Sequence, residues 1–378
     1  MQKSIYLIFL ICLVSCGTKN GSANPDKNEN PESSINLKYA RGFMIEQFEG
    51  YRCVTVYDPW KSGAILKRYY LTRNPEKATP GDGIKVVTPI KSIVSASSTH
   101  YSFLDMLDET GSIIGICDVK RTYNKKIRDA QKEGRITDLG DPFRINVERC
   151  LMLKPDLAMF SGYNQYDENI ARLIAAGIPV VYNNEWMEQS LLGRAEWIKF
   201  IACFYDKDAL ADSLFDIVEN NYNRLIELAA SSKTKSPLIL SGDNFRGTWY
   251  QPGGKSFTAQ LFADAGGDYI YRNDTTKGSI PYSFEQIFRD LKDADVWVGA
   301  TNGKSLKELL SADQRYSLFK PFKKGLVFAY SNRTTPEGGN DFWEGAVARP
   351  DGLLADFIKL FHPELLSDHK WIYLKKLE

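Results

Sequence analysis

Apolar and polar residues alternate through Arg52-Cys53-Val54-Thr55-Val56-Tyr57, the period of a strand with one face turned inward, and turns are marked by Gly50 and Asp58-Pro59. The same pattern across Leu37 to Thr72 predicts a small antiparallel β meander. From Ile84 onward the rhythm changes. Short apolar runs at Ile90 to Ala96, Ser112 to Cys117, Leu157 to Phe160 and Pro179 to Tyr182 alternate with helix-period segments at Tyr101 to Leu107, Val147 to Leu153 and Asp167 to Ala176. Strands alternating with short helices predict an α/β lobe built on a largely parallel sheet.

Residues 208–230 carry Leu210, Leu214, Ile217, Val218, Tyr222 and Leu225 on one stripe at helical spacing. At 1.5 Å per residue such a helix is roughly 34 Å long, enough to bridge two lobes and stiff enough to allow only modest rocking. Beyond it the chain repeats two earlier signatures in the same order. Met106-Leu107-Asp108-Glu109-Thr110-Gly111 is echoed by Leu261-Phe262-Ala263-Asp264-Ala265-Gly266, each read as a helix ending at a left-handed Gly cap. Glu148 leads through Leu153-Lys154-Pro155-Asp156 into a strand, as Glu285 leads through Leu291-Lys292 and Asp295 into Val296-Trp297-Val298. The expected division is an N-terminal lobe with its meander at 35–207, a bridging helix at 208–230 and a C-terminal lobe at 231–378.

The extreme N-terminus has another character. Lys3 precedes an apolar run, Ile5 to Val14, too short to span a bilayer, and Leu13-Val14-Ser15-Cys16 has a small-residue cleavage pattern. A Cys directly after such a pattern resembles the lipobox of bacterial lipoproteins, which implies a signal peptide at 1–15 and lipidation of Cys16. Two or more acyl chains would anchor the domain durably. Residues 16–34, rich in Asn, Gly, Ser, Pro and charge, read as a flexible tether. Gly17-Thr18-Lys19-Asn20 carries no acidic signal for export to the outer surface, so a periplasm-facing anchor is expected, on either membrane.

The 48 basic residues nearly cancel the 47 acidic ones, so no global field draws the chain to nucleic acid. Cys53, Cys117, Cys150 and Cys203 are widely spaced and sit in apolar runs; buried free thiols are expected, although an oxidising compartment would also permit a disulfide. With only His100, His362 and His369, a multi-histidine metal site cannot be built. Haem needs only one or two axial ligands, which His100 or a Tyr could supply. Gln251-Pro252-Gly253-Gly254-Lys255-Ser256 lacks the spacing of a phosphate loop and reads as a cleft-lining turn. A surface hydrolase is the rival from another class, but neither G-x-S-x-G nor H-E-x-x-H occurs.

Asn146-Val147-Glu148, Leu153-Lys154-Pro155-Asp156-Leu157, Ala175-Ala176-Gly177-Ile178-Pro179-Val180, Ala265-Gly266-Gly267 and Ser283-Phe284-Glu285-Gln286, together with the bridging helix, give the chain a family likeness from about Ile84 to Leu366. It resembles the helical-backbone (class III) periplasmic binding proteins, the substrate-binding lipoproteins of ABC importers for iron-siderophores, haem or cobalamin. The resemblance implies two Rossmann-like lobes, no enzymatic activity and no resident cofactor. It also implies a chelate ligand of iron-siderophore type, with cobalamin or haem as alternatives, and an ABC permease engaged by one surface glutamate on each lobe, here Glu148 and Glu285. Both glutamates lie near helix starts, and in Ser283-Phe284-Glu285-Gln286 the capping pair is Ser283 with Gln286, which leaves Glu285 free for a partner.

In open α/β lobes ligands bind beyond the carboxyl ends of strands, so the loops there are the candidates. The N lobe offers His100, Tyr101, Arg121, Tyr163 and Trp186; the C lobe offers Arg246, Trp249, Tyr250, Arg333 and Trp343. Rings supply contact area and guanidinium groups meet carboxylate or catecholate oxygens, a mixture suited to a large, partly planar, anionic ligand.

Overall fold

The computed structural model describes residues 30–162, 168–300 and 305–378. The signal sequence, Cys16, most of the tether and Tyr163 lie outside the described residues. No helix among the described residues is long and apolar enough to cross a membrane.

The meander forms, and gains two strands that its alternation did not announce. β1 (Ser33–Ser34), β2 (Phe43–Phe48), β3 (Tyr51–Tyr57), β4 (Ile65–Thr72) and β5 (Ile84–Val87) form one sheet in that order. β1 takes the last two residues assigned to the tether, pairing Ser33 with Gln47. β5 returns parallel to β4, opposing Ile84 to Tyr69, so the sheet is not purely antiparallel. Phe43, Ile45, Val54, Val56 and Tyr69 bury one face against the N lobe's Trp197, Phe200 and Phe204.

Two buried carboxylates weld the β1–β2 connection to the lobe. Glu196 accepts the backbone N–H groups of Lys38, Tyr39 and Ala40, and Glu188 those of Arg41 and Gly42 together with the Trp197 indole N–H. An unpaired buried carboxylate would be costly, but several charge-assisted bonds offset its desolvation. Burial nevertheless holds the Glu188 carboxyl above its ordinary range.

The N lobe carries β6 (Ile93–Ser95), β7 (Ile113–Ile116), β8 (Thr137–Asp138), a hairpin of β9 (Gly140–Asp141) and β10 (Arg144–Ile145), then β11 (Leu157–Phe160) and β12 (Val180–Tyr182). Its main sheet runs β12-β11-β6-β7-β8, parallel throughout, so the carboxyl ends of these strands share one edge. The C lobe holds β13 (Ile239–Ser241), β14 (Asn244–Phe245), β15 (Thr248–Pro252), β16 (Ser279–Tyr282), β17 (Val296–Val298), β18 (Val327–Ala329) and β19 (Lys375–Lys376). Here β13-β17-β18 is parallel with β19 antiparallel at the edge, and β14-β15-β16 is a separate antiparallel sheet.

Helix Asp208–Ala230 bridges the lobes as one continuous element. Its apolar stripe is rotated from the expected one: Ala211, Phe215, Val218 and Tyr222 are buried, while Leu210 and Ile217 are exposed. Glu219 ties it to the N-terminal segment through Lys38 and Tyr39. On the other side Tyr222 donates to Asp264, and Asn221 to Asp351.

Of the two Gly caps, only Gly266 takes a left-handed conformation; in the first echo Asp108 does so at φ 55°. A short polar side chain tolerates that region, and Gly111 instead sits in a one-turn 3₁₀ helix. The four cysteines of the body are buried free thiols.

Candidate functional site

At the shared edge of the N-lobe sheet, the turn after β7 begins with Asp118 at φ 53° and passes at once into the 3₁₀ helix Val119–Arg121. That reversal brings Arg121 beside Asp118, 3.4 Å away. The β9–β10 turn presents Pro142 and Phe143, with Asp141 accepting the Phe143 N–H at 2.7 Å; the Phe143 ring is 62% exposed.

The facing wall comes from the C lobe, in the segment after β18. Asn340 caps helix Asp341–Glu344, accepting the Phe342 N–H at 3.0 Å and donating to the Tyr330 carbonyl at 2.7 Å. Phe342 stacks on Tyr330 at 4.0 Å and meets Trp343 edge-on at 4.7 Å. Trp343, 59% exposed, is thus held by an ordered aromatic stack.

Between these walls lies a cleft cavity of about 360 Å³, lined by Ser97, Ser98, Asp118, Arg121, Pro142 and Phe143 on one side and Gly338, Asn340 and Trp343 on the other. A further hollow of about 300 Å³ shares Asp118, Arg121, Pro142 and Phe143 and widens the N-lobe side. Aromatic faces from opposite lobes, one guanidinium with the Asp118 carboxylate beside it, two hydroxyls and an amide can grip a planar ligand and meet polar oxygens on it. A larger hollow of about 470 Å³ lies against the meander, with all its lining residues in the N-terminal lobe rather than between the two lobes.

The structure brings two of the expected ligand residues, Arg121 and Trp343, into the cleft cavity. Arg333 pairs with Asp341 at 3.1 Å and does not line the cleft cavity. Trp186 follows β12 on the same sheet edge, two strand spacings or roughly 10 Å from the loop after β6. Its neighbour is Trp60 of the meander, ring centroids 6.4 Å apart, which the sequence reading did not single out. Arg246 and Tyr250 belong to the exposed β14–β15 hairpin, where Arg246 sits at φ 52° with its guanidinium over the Phe245 ring at 5.1 Å; neither lines the cleft cavity.

Three expectations are corrected. His100 and Tyr101 are wholly buried in the first turns of helix Thr99–Met106 and offer a ligand no surface. Burial drives the His100 imidazole down to about 3, so it is uncharged; Nδ1 lies 3.1 Å from the Ser95 hydroxyl, and Nε2 finds no hydrogen-bond partner among the described residues. Trp249 is the inward residue of β15, packed on Trp297, Tyr316 and Phe319, with its indole N–H donated to the Ser241 carbonyl. Trp249→Ala is therefore expected to cost about 3–5 kcal/mol of stability, read as a lowered melting temperature, without weakening ligand binding by the folded protein.

The proposed docking glutamates are both exposed and both sit in the first turn of a helix whose cap is another residue. Asn146 caps Val147–Leu153 next to Glu148, and the Ser283–Gln286 capping box closes Phe284–Leu291 next to Glu285. Glu148 pairs with Arg172, and Glu285 lies 3.5 Å from Arg315, each within its own lobe. Neither lines the cleft cavity.

Sequence and structure comparisons agree with this architecture. The periplasmic binding protein family profile matches residues 93–334, leaving the meander outside it. The chain is 27% identical over 416 aligned positions to an uncharacterized lipoprotein of Methanocaldococcus jannaschii, covering 99% of this chain and 97% of that one. Among solved structures it is similar to a periplasmic heme binding protein from Pseudomonas aeruginosa, with TM-score 0.58, 15% identity, and coverage of 76% of this chain and 98% of that one. It is also similar to a possible iron-binding (periplasmic solute-binding) protein of Staphylococcus epidermidis, with TM-score 0.56, 20% identity, and coverage of 73% and 100%. With its two α/β lobes joined by a helical backbone, the chain belongs to the periplasmic binding protein family.

Proposed function

We propose that this protein is a lipid-anchored receptor of the cell envelope that captures an iron chelate of siderophore type between its lobes and delivers it to an ABC permease. The observation that carries the reading is the cleft itself: Phe143 and Trp343 expose aromatic faces from opposite lobes, with Arg121 beside them. Such a site favours a metal that arrives wrapped in its own planar, anionic ligands. Axial ligation of haem by His100 or Tyr101 is disfavoured by their burial, and among the described residues no cluster of three His, Cys, Asp or Glu is placed to hold a bare ion. The anchor reading draws support from the lipoprotein relative and from Cys16 in the sequence.

Glu148 and Glu285 are the proposed permease contacts, one on each lobe and both free of capping duty. A solute-binding role leaves catalysis to no residue of this chain. The test is titration of the purified protein with ferric tris-catecholate, ferric hydroxamate, haemin and cobalamin, followed by tryptophan fluorescence and calorimetry. Saturable 1:1 binding of a ferric chelate without turnover is expected. Binding of haemin or cobalamin in its place would move the ligand class, and turnover of a bound compound would revive the hydrolase reading.

A further inference from the structure

The C-lobe wall of the cleft is tied to the N lobe through Glu344, the last residue of helix Asp341–Glu344. Its side chain is buried and reaches across: Oε2 accepts the Tyr123 backbone N–H at 2.7 Å and Oε1 accepts the Asn124 N–H at 2.8 Å. Asn124 caps helix Lys125–Lys132, where backbone N–H groups have no partner within the helix, so both acceptors meet donors that need them. One turn earlier Gly339 fits closely against the same N-lobe segment; a Cβ there would lie 2.5 Å from the Thr122 carbonyl oxygen.

We propose that Glu344 is a positioning residue for the ligand site: its carboxylate clamps the segment bearing Gly338, Asn340 and Trp343 onto residues 122–124 of the N lobe and so sets the spacing of the two cleft walls. The cleft-lining residues stand one to six positions before the clamp, on a segment further stiffened by the Arg333–Asp341 pair and the Asn340 cap. Movement of this anchor is therefore movement of Trp343.

The clamp's response to pH follows from its surroundings. Burial, with the Asp341 carboxylate adding to it, pushes Glu344 up to about 7, against the opposing pull of the two amides and the Arg128 guanidinium. Helix Thr99–Met106, packed on the same face, brings Tyr101 and the uncharged His100. Once the lobes part and water reaches the carboxylate, its affinity for protons falls to the ordinary range near about 4.3. The clamped state thus binds the proton more tightly than the open one. Clamping is most favoured below about 4.3, weakens as pH rises from there to about 7, and levels off above that, where an ionised carboxylate must be desolvated to close.

Spin labels at Lys132→Cys and Lys323→Cys, both exposed whereas the four cysteines of the body are buried, report lobe separation without ligand in the full chain carrying Cys12→Ser and Cys16→Ser. The wild-type distance distribution is expected to broaden between pH 5 and pH 7.5, whereas Glu344→Gln, which cannot ionise, gives one distribution at both. Glu344→Ala is expected to be broad at both and to speed amide exchange at Tyr123 and Asn124 about tenfold relative to their intrinsic rates. Gly339→Ala, which pushes the same segment off Thr122 but keeps the carboxylate, should broaden the distribution as well and serves if Glu344→Ala does not fold. Unchanged distances and exchange in the Ala variants, or one shared pH profile for wild type and Glu344→Gln, overturns the proposal. The positioning role rests on the cleft being the ligand site, but these readouts need no ligand, so the clamp and the ligand reading can fail separately.

Discussion

Uptake is expected to disappear in the double variant Glu148→Arg and Glu285→Arg, while ligand affinity stays at its wild-type value and the melting temperature falls only slightly. The carboxylates stand exposed on separate lobes and outside the cleft, and neither caps the helix that carries it. In the proposed assembly each meets basic residues of the permease, so an arginine there replaces attraction with like-charge repulsion and disfavours docking. Reversal also sets each introduced guanidinium against the glutamate's present partner, Arg172 in one lobe and Arg315 in the other. Exposed ion pairs contribute only about 0–1 kcal/mol, so the fold is expected to tolerate the change. Radioactive iron-chelate uptake, calorimetry and thermal melting on the same variant separate the outcomes. Normal uptake with a small loss of stability would assign both glutamates to the helix dipoles alone.

The second large effect belongs to the cleft. Arg121→Ala is expected to weaken an anionic chelate by about 1.5–3 kcal/mol, the range of a hydrogen bond to a charged group. Trp343→Ala should remove a rigid aromatic anchor at a cost of about 2 kcal/mol or more. Combined, they should reduce affinity by two orders of magnitude or more if the residues act independently, about 3.5 kcal/mol at the lower bound. Arg246→Ala and Tyr250→Ala on the β14–β15 hairpin serve as controls expected to bind like wild type, because neither residue lines the cavity. Calorimetry on the four single variants and the double variant checks this, and the reverse ranking would move the ligand to the hairpin.

The two-lobe plan was legible because it depends on period. Strand-length apolar runs separated by helical stripes mark the lobes, and the long stripe from Asp208 to Ala230 marks the bridge. Its exact face was harder to read, since Leu210 and Ile217 border the true stripe and burial is decided by which helices arrive from elsewhere. Trp249 lies in a strand and not in a loop, and the signal is local: in Thr248–Pro252 the even alternation of Trp249 and Gln251 inward with Tyr250 outward is that of a strand. His100 and Tyr101 follow a strand end, where a ligand loop is expected, but helix Thr99–Met106 starts so early that both point into the core.

The cleft was legible only in part. Arg121 and Trp343 could be found from loop position and residue type. Phe143 is carried by a hairpin whose strands are two residues long, too short for alternation to show, although Asp141-Pro142 marked a turn. Trp60 lies in the meander and reaches Trp186 only through tertiary packing. Glu344 gave no local hint at all, because its partners at Tyr123 and Asn124 are backbone amides more than two hundred residues away.

In the proposed complex an iron chelate sits between the lobes, against Arg121 and Phe143 on one side and Asn340 and Trp343 on the other. Anomalous diffraction at the iron edge, from crystals grown with the ferric chelate that binds most tightly in solution, tests it most directly. One strong iron peak is expected inside that cleft, with the chelate's rings against Phe143 and Trp343. An iron peak elsewhere on the protein, or direct iron bonds to protein side chains in place of a chelate, would contradict it.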